Sequence, residues 1–229
     1  RLAHDPELLA GVAELRDRVE VYLQFDGLRP ETSRRLRGED LVEVKLRALD
    51  ALGRHGIHTI LVCTLQAGVN DDELGNLVRL ALDRLKSLMD EFRDEILHIG
   101  YFPSLFLGTV TRNGELEYYD GLIRITDGEG NILADGLDPQ RYHTFLGEAS
   151  EEWSYMKFPY YKPLGYPGGM YRVGPLARLN VASWTGTSLA DRELREFKQR
   201  WKAPVCHSFH YHLARLIEML HCVERIEEL

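Results

Sequence analysis

The sequence has few cysteines and no close pair of them. Cys63, Cys206 and Cys222 are the three in 229 residues, and the nearest two are sixteen positions apart. A thiolate metal site usually contains a C-x-x-C pair, so the spacing argues against such a site within this chain. A sparse, odd number of cysteines is typical of reduced thiols, and we therefore expect a cytoplasmic protein.

Excess positive charge and long apolar runs are also missing. Lys and Arg number 28 against 36 Asp and Glu, which gives a net charge of −8. Such a chain is poorly suited to neutralise phosphates, so we expect no nucleic-acid partner. The longest apolar run, around residues 60–65, is far shorter than the ~20 residues that span a bilayer, and we expect no membrane association.

Helix and strand patterns alternate through the first part of the chain. Apolar spacing predicts helices over 6–20 and 41–54, and β-prone runs predict strands over 21–25 and 59–65. A third helix starts at residue 71, where Asn70 and Glu73 have the spacing of a capping box. This alternation predicts parallel βα units.

The second part of the chain has a different pattern. An unbroken apolar stripe predicts one long helix over 71–96. Asp-Gly turn signals among β-favouring residues then predict a hairpin over 116–134. Helices are predicted over 138–146, 189–201 and 208–228, with an irregular aromatic-rich loop over 152–170. The predicted fold class is α+β: N-terminal βα units joined through a long helix to a mainly helical part with a β-hairpin excursion.

Three segments of the first part resemble the middle strands of a radical S-adenosylmethionine enzyme. They are Val21-Tyr-Leu-Gln-Phe-Asp-Gly27, Leu36-Arg-Gly38 and Leu61-Val-Cys-Thr-Leu-Gln-Ala-Gly-Val-Asn-Asp71. The resemblance covers about residues 10–80 and implies a fragment of a partial βα barrel. The family's three-cysteine motif, C-x-x-x-C-x-x-C, which holds an iron–sulfur cluster, is absent, and we expect it upstream of residue 1.

This resemblance also implies candidate ligand-binding residues. By position, Gln24, Asp26 and Asn70 would face the adenosylmethionine, because polar side chains at the C-terminal ends of strands point into a barrel mouth. The alternative is that Asp26 and Asn70 only cap turns, which is the usual place for these residue types.

Five ordered motifs in the second part resemble large subunits of NAD-linked, bidirectional nickel–iron hydrogenases. They are Phe102-Pro-Ser-Leu-Phe106, Tyr119-Asp-Gly121, Trp153-Ser-Tyr-Met-Lys-Phe-Pro-Tyr-Tyr161, Tyr171-Arg-Val-Gly-Pro-Leu-Ala-Arg-Leu-Asn180 and Tyr211-His-Leu-Ala-Arg215. The resemblance covers about residues 80–229. It implies an oxidoreductase that oxidises H2 reversibly at a nickel–iron centre, with a hydrogenase small subunit as partner.

The family holds its metals with two cysteine pairs, one near each end of the subunit. Both pairs would lie outside this stretch, so we expect no cofactor in this chain and no activity from it alone. We assign no catalytic and no metal-ligating residue. The resemblance places Lys157 and Arg178 near the metal pocket. The alternatives are that Arg178 pairs with a carboxylate and that Lys157 reaches solvent.

Histidines are concentrated near the end of the chain. Cys206, His207, His210, His212 and His221 could suggest a zinc site, but two more converging ligands would be needed, and we favour aromatic packing instead.

The two resemblances divide the chain into residues 1–80 and 81–229. We expect a fragment that joins pieces of two families, either by a fused or wrongly assembled reading frame or by a natural fusion. Three functions are open: a hydrogenase large-subunit fragment, a radical S-adenosylmethionine enzyme fragment, and a non-catalytic module that meets a hydrogenase small subunit.

Overall fold

The computed structural model describes residues 2–98 and 100–228. They form two compact units, Arg1–Arg79 and Leu80–Leu229, which we call the first and the second unit. The fold is α+β, as the sequence predicts, with small sheets and no closed barrel among the described residues. In this part of the chain no helix combines the length and apolarity needed to cross a bilayer.

The first unit alternates helices and strands around two parallel strands. Its elements are α1 (Pro6–Glu14), β1 (Val21–Gln24), α2 (Pro30–Arg37), α3 (Val42–Arg54) and β2 (Thr59–Val62). β1 and β2 pair in parallel from Val21 opposite Thr59 to Gln24 opposite Val62, so the predicted parallel arrangement is confirmed. A buried cluster of Leu9, Ala51, Leu52 and Ile57 packs α1 and α3 together.

Two features of the first unit differ from the prediction. α1 ends at Glu14 rather than at residue 20, because shorter hydrogen bonds such as Leu15 N–H to the Val12 carbonyl replace the helical ones. α2 was not predicted, since its sequence is polar. It begins with Pro30 in its first turn and stops at Gly38, whose φ of 84° is a conformation that glycine adopts without strain.

The long helix predicted over 71–96 is interrupted. A short 3-10 turn, Asp71–Glu73, leads into α4 (Leu74–Glu91), and α5 (Arg93–His98) follows after Phe92. Leu88 and Phe92, which belong to the predicted buried stripe, are 44% and 43% exposed. Without burial, these side chains do not hold the helix in register across residue 92.

The second unit contains a four-stranded sheet and a separate hairpin. The sheet has the order β5–β4–β3–β8, with β3 (Leu105–Val110), β4 (Leu122–Thr126), β5 (Ile132–Leu137) and β8 (Tyr171–Arg172). β4 and β5 are antiparallel, which confirms the hairpin predicted over 116–134. β6 (Leu146–Ser150) and β7 (Lys157–Tyr161) form the second hairpin. The interpretation of 152–170 as loop throughout was therefore wrong, since β7 depends on pairing with β6.

Helices cover the sheet and supply most of the core of the second unit. They are α6 (Tyr142–Phe145), α7 (Pro175–Val181), α8 (Ser188–Arg200) and α9 (Tyr211–Glu227). α7 lies close against β3, where a Cβ placed on Gly108 would be 2.6 Å from Val181 Cγ2. The largest fully buried side chains of this unit include Phe106, Ile125, Leu176, Leu179, Leu194, Phe197, Ile217 and Leu220.

Candidate functional sites

Asp26 follows the C-terminal end of β1 and is 2% exposed. Its carboxylate accepts hydrogen bonds from Arg37 Nε and Nη2 at 2.8 and 3.0 Å and from Gln24 Nε2 at 2.7 Å. The Thr64 backbone N–H donates a further bond at 3.1 Å. Burial opposes ionisation, but these donors outweigh it and hold the pKa of Asp26 at about 2. Asp26 is therefore ionised and fully paired.

Asn70 joins the ends of the two strands. It is completely buried, and its Nδ2 donates to the carbonyl oxygens of Asp26 at 2.7 Å and Thr64 at 2.9 Å. Its Oδ1 accepts from the Gln66 backbone N–H at 2.8 Å. The predicted capping box is therefore wrong, because the amide of Asn70 is used between strands and makes no cap hydrogen bond to the helix that follows.

Glu73 is the polar residue of this region that the sequence did not single out as a site. It is 1% exposed and accepts from the backbone N–H groups of Leu28 at 2.6 Å and Arg29 at 2.9 Å. Arg29 Nε lies 3.1 Å away, and the Thr32 hydroxyl also donates to this carboxylate. Burial opposes ionisation of Glu73, but these donors lower its pKa. Its position three residues after Asn70 was visible in the sequence, but the partner on α2 was not.

Gln24, Asp26 and Asn70 thus lie together at the C-terminal ends of β1 and β2. We call them, with Thr64 and Glu73, the strand-end cluster. The polar atoms of Asp26 and Asn70 are satisfied by protein partners. Cys63 is the thiol of the first unit, and burial raises its pKa. One thiol does not fit an iron–sulfur cluster, which needs several thiolates. A role in binding adenosylmethionine stays a prediction.

Arg178 of α7 forms a two-pronged ion pair with Glu218 of α9. Arg178 Nε lies 2.7 Å from Glu218 Oε1, and Nη2 lies 2.7 Å from Oε2. The hydrogen bonds from Glu218 outweigh burial and raise the pKa of Arg178. The guanidinium also lies 5.3 Å from the ring centroid of Tyr118, and burial raises the pKa of that phenol. This is a carboxylate pairing of the kind considered from the sequence, and it ties two helices together.

Lys157 lies in a different environment from Arg178. It is exposed at the start of β7, and its Nζ donates to the Ser150 hydroxyl on the paired strand. Arg172, which the sequence did not single out, is buried instead. Its Nη1 donates to the Cys206 carbonyl at 2.7 Å and its Nη2 to the Phe102 carbonyl at 3.0 Å, with the guanidinium 3.6 Å from the Phe102 ring centroid. Two of the five motifs are thereby joined.

The histidines of the last segment pack among aromatic rings. His210 is completely buried, with its ring centroid 4.3 Å from that of Trp201 and 6.2 Å from that of Phe197. Burial lowers its pKa to about 4, so the imidazole is neutral. His221 is also buried, and its Nδ1 lies 3.2 Å from the Thr187 hydroxyl.

The donor set of the second unit does not fit a nickel–iron centre. Such a centre needs converging thiolates. Cys206 is buried and Cys222 is exposed on α9, and burial raises the pKa of both thiols. Within residues 2–98 and 100–228, no group of three or more His, Cys, Asp or Glu side chains is placed to hold a metal ion. No chemical step through such a centre can be assigned to these residues.

Known proteins similar to this chain are hydrogenase subunits. It is 39% identical over 148 residues to a subunit of the vhu F420-non-reducing hydrogenase of Methanococcus voltae, an alignment that covers 65% of this chain and 35% of the relative. It is 36% identical over 157 residues to the beta subunit of the NAD-reducing hydrogenase HoxS of Cupriavidus necator, covering 67% and 32%. No protein-family model matches the chain.

A solved structure supports the same relationship. The crystal structure of an NAD+-reducing nickel–iron hydrogenase in the H2-reduced state matches with a TM-score of 0.64 and 37% sequence identity, covering 69% of this chain and 35% of that one. About two thirds of the chain is therefore homologous to hydrogenase large subunits. The chain spans about a third of the length of the relatives it matches.

A different relative matches a smaller share of the chain. It is 32% identical over 108 residues to the 7,8-dihydro-6-hydroxymethylpterin dimethyltransferase of Methanocaldococcus jannaschii, which covers 47% of this chain and 19% of that protein.

Proposed function

We propose that residues 80–229 are a segment of a hydrogenase large subunit, the subunit that oxidises H2 reversibly at a nickel–iron centre, and that this stretch is inactive alone. The observation that carries the proposal is the combination of 37% identity with a TM-score of 0.64. The alignments of 148 and 157 residues are also close in length to the second unit, Leu80–Leu229. The five motifs all lie in that unit.

The segment acts as scaffold within the complete subunit. Arg178 clamps α7 to α9 through Glu218, and Arg172 holds the first motif to residues 205–207 through main-chain carbonyls. Buried guanidinium groups of this kind fix the relative position of elements because both hydrogen bonds are directional. In the complete subunit, Lys157 and Arg178 lie at the edge of the metal pocket; the Arg178 side chain keeps 27% of its surface exposed.

A hydrogenase small subunit is the partner we infer. Both relatives are named as individual subunits of larger hydrogenases, which supports assembly with other chains. The same argument keeps open a purely structural role, in which the second unit contributes an interface without contributing to metal binding.

A graft tests these proposals. Residues 80–229 replace the corresponding stretch of the Cupriavidus necator relative, and the relative's own stretch reinserted through the same junctions is the control. We expect the graft to retain nickel and measurable H2-dependent NAD+ reduction. A graft that copurifies with its partner subunits but lacks nickel would favour the structural role. A folded graft that neither copurifies nor holds nickel would contradict both.

For residues 1–79 we propose descent from an enzyme that uses adenosylmethionine, with Gln24, Asp26 and Asn70 facing that ligand in the parent. The match to a dimethyltransferase supports this origin, as do the parallel strands with polar side chains at their C-terminal ends. Titration with millimolar S-adenosylmethionine should shift the backbone amide NMR signals of residues 24–26 and 64–70. Shifts spread evenly over the unit, or none, would count against a ligand role.

A further inference from the structure

One stretch of the second unit has almost no core of its own. Over residues 131–170, all of which are described, Gly169 is the single buried residue, although the stretch contains β5, α6, β6 and β7. Part of it does pack inward. Leu137, Phe145, Leu146 and Tyr161 are half-buried against Leu105, Ile123 and Ile125 of the sheet.

A second set of side chains in this stretch forms a continuous row of rings. The ring centroids of Trp153 and Phe158 are 5.4 Å apart, those of Phe158 and Tyr166 are 6.3 Å apart, and those of Tyr166 and Tyr160 are 6.0 Å apart. We call these four residues the aromatic face. Trp153 is 76% exposed, and its sequence neighbours Tyr155 and Met156 are 97% and 59% exposed.

The strand register holds these rings in place. Tyr160 lies opposite Gly147, and Phe158 lies opposite Ala149, so small residues face large rings across the hairpin. A Cβ on Gly147 would be 2.7 Å from Tyr160 Cζ, which shows how closely that ring lies over the glycine. Because rigid aromatic side chains lose little entropy on contact, this row is prepared to bind another surface.

The exposure of the aromatic face needs an occupant. A two-stranded hairpin is marginally stable without a covering layer. Contiguous exposed apolar patches of this kind mark interaction sites rather than ordinary surface. The exposed charges next to it are of both signs, Glu148 and Glu152 with Lys157, which suits a protein surface rather than a polyanion.

We infer that the aromatic face docks the part of a hydrogenase large-subunit polypeptide that lies outside the stretch matched by this chain. The inference rests on the proposed function. Its argument is length: the matched stretch is 35% of the Methanococcus voltae relative and 35% of the crystallised hydrogenase chain. Roughly two thirds of such a polypeptide is thus available to cover faces that this stretch leaves open. The occupant presents an apolar surface that accepts aromatic rings.

Copurification tests this docking. The full chain is coexpressed with the two flanking segments of the Cupriavidus necator relative, one of them tagged. The test variant carries Trp153→Ser, Tyr155→Ser and Met156→Ser. The control variant carries Tyr119→Ser, Met219→Ser and Ile226→Ser, three residues of the second unit that are 92%, 45% and 64% exposed. Circular dichroism and thermal melting confirm that both variants remain folded.

We expect the unmodified chain and the control variant to copurify with the flanking segments, and the test variant to do so at least tenfold less. Equal retention of the two variants, or no copurification of the unmodified chain, would overturn the docking. A dimer of the chain alone that the test variant abolishes would also overturn it, in favour of a second copy. The covalent graft judges the proposed function separately, because its flanking segments are linked and need no docking affinity.

Discussion

At the scale of single residues, charged groups are buried where several donors or acceptors converge on them. Removing a carboxylate from water is costly, and hydrogen bonds to the ionised form offset that cost. Asp26 has four such bonds and Glu218 has two from one guanidinium. The consequences can be measured.

The first prediction concerns the charge of Asp26. Its folded pKa of about 2 lies below the ordinary 3.8, so its ionisation stabilises the first unit above about pH 4, and this contribution is lost as pH falls toward 2. We expect Asp26→Asn to cost about 2 kcal/mol at pH 7 and little at pH 2. Urea unfolding followed by circular dichroism measures this. The exposed Asp17→Asn is the control, and an equal effect of the two would contradict the prediction.

A second prediction concerns the ion pair between α7 and α9. Arg178→Ala leaves the Glu218 carboxylate buried without its partner, and we expect a loss of about 3 kcal/mol. Arg178→Lys should recover only part of this, because an ammonium cannot donate two parallel bonds. All three tryptophans lie in the second unit, so their fluorescence in urea reports on it. Arg225→Ala, which breaks the exposed pair with Glu228, should cost under about 1 kcal/mol. Similar losses for both variants would refute the argument.

The third prediction is an acid sensitivity caused by His210. Burial lowers its pKa from 6.5 to about 4. The unfolded state therefore binds more protons between these values, and the second unit loses stability as pH falls from about 6.5 to 4. We expect this loss to reach up to about 3 kcal/mol. His210→Phe should flatten the pH dependence of tryptophan-monitored unfolding over this range, whereas the exposed His143→Phe should leave it unchanged. A pH profile unaffected by His210→Phe would exclude this cause.

At the scale of elements, two helices are completed by carboxylates that come from elsewhere in the chain. Glu73 accepts from the N–H groups of Leu28 and Arg29 beside the start of α2. Glu224 of α9 accepts from those of Leu189 and Ala190 in the first turn of α8, at 2.9 and 2.8 Å. A carboxylate at a helix N-terminus satisfies free donors and complements the helix dipole. Neither pairing follows from local capping signals.

The fourth prediction concerns the contact between β3 and α7. A Cβ on Gly108 would be 2.6 Å from Val181 Cγ2 and 3.1 Å from Arg178 Cα, so one of these elements would have to move. We expect Gly108→Ala to destabilise the second unit by about 1–3 kcal/mol. Gly168→Ala is the matched control, since its nearest contact is an ordinary 3.5 Å to the Leu164 carbonyl oxygen. Thermal unfolding compares the two, and equal melting temperatures would contradict this packing argument.

At the scale of the whole molecule, each unit has a core of its own. Leu9, Ala51, Leu52 and Ile57 are central to the first, and Leu105, Ile123 and Ile125 to a cluster in the second. We propose that the two units derive from different parent families, by a fused or wrongly assembled reading frame or by a natural fusion. Genomic sequence on either side of the coding region would distinguish these origins.

The fifth prediction is that the purified chain holds neither nickel nor iron in stoichiometric amount. Its three thiols do not converge, and each has a pKa raised chiefly by burial. Elemental analysis after desalting should find far less than one metal ion per chain. About one nickel per chain would overturn this expectation, whereas bound zinc near His210 would not.

Local patterns in the sequence determined much of the architecture. Helical spacing predicted α3, α8 and α9, and turn signals predicted the β4–β5 hairpin, because neighbouring residues decide these features. The ordered motifs also pointed to hydrogenase subunits, since they depend only on residue order. Fold class and the principal family relationship could therefore be derived without coordinates.

Tertiary structure decided what depends on partners distant in the chain. Asn70 and Glu73 have the spacing of a capping box, yet both turn to partners elsewhere in the unit that the local sequence does not contain. β7 exists because β6 pairs with it, and α4 ends at Glu91 because the stripe beyond it is not buried. The carboxylate that pairs with Arg178 lies forty residues away, on another helix. Such choices are made by burial and hydrogen bonding between segments, which residue spacing along the chain does not encode.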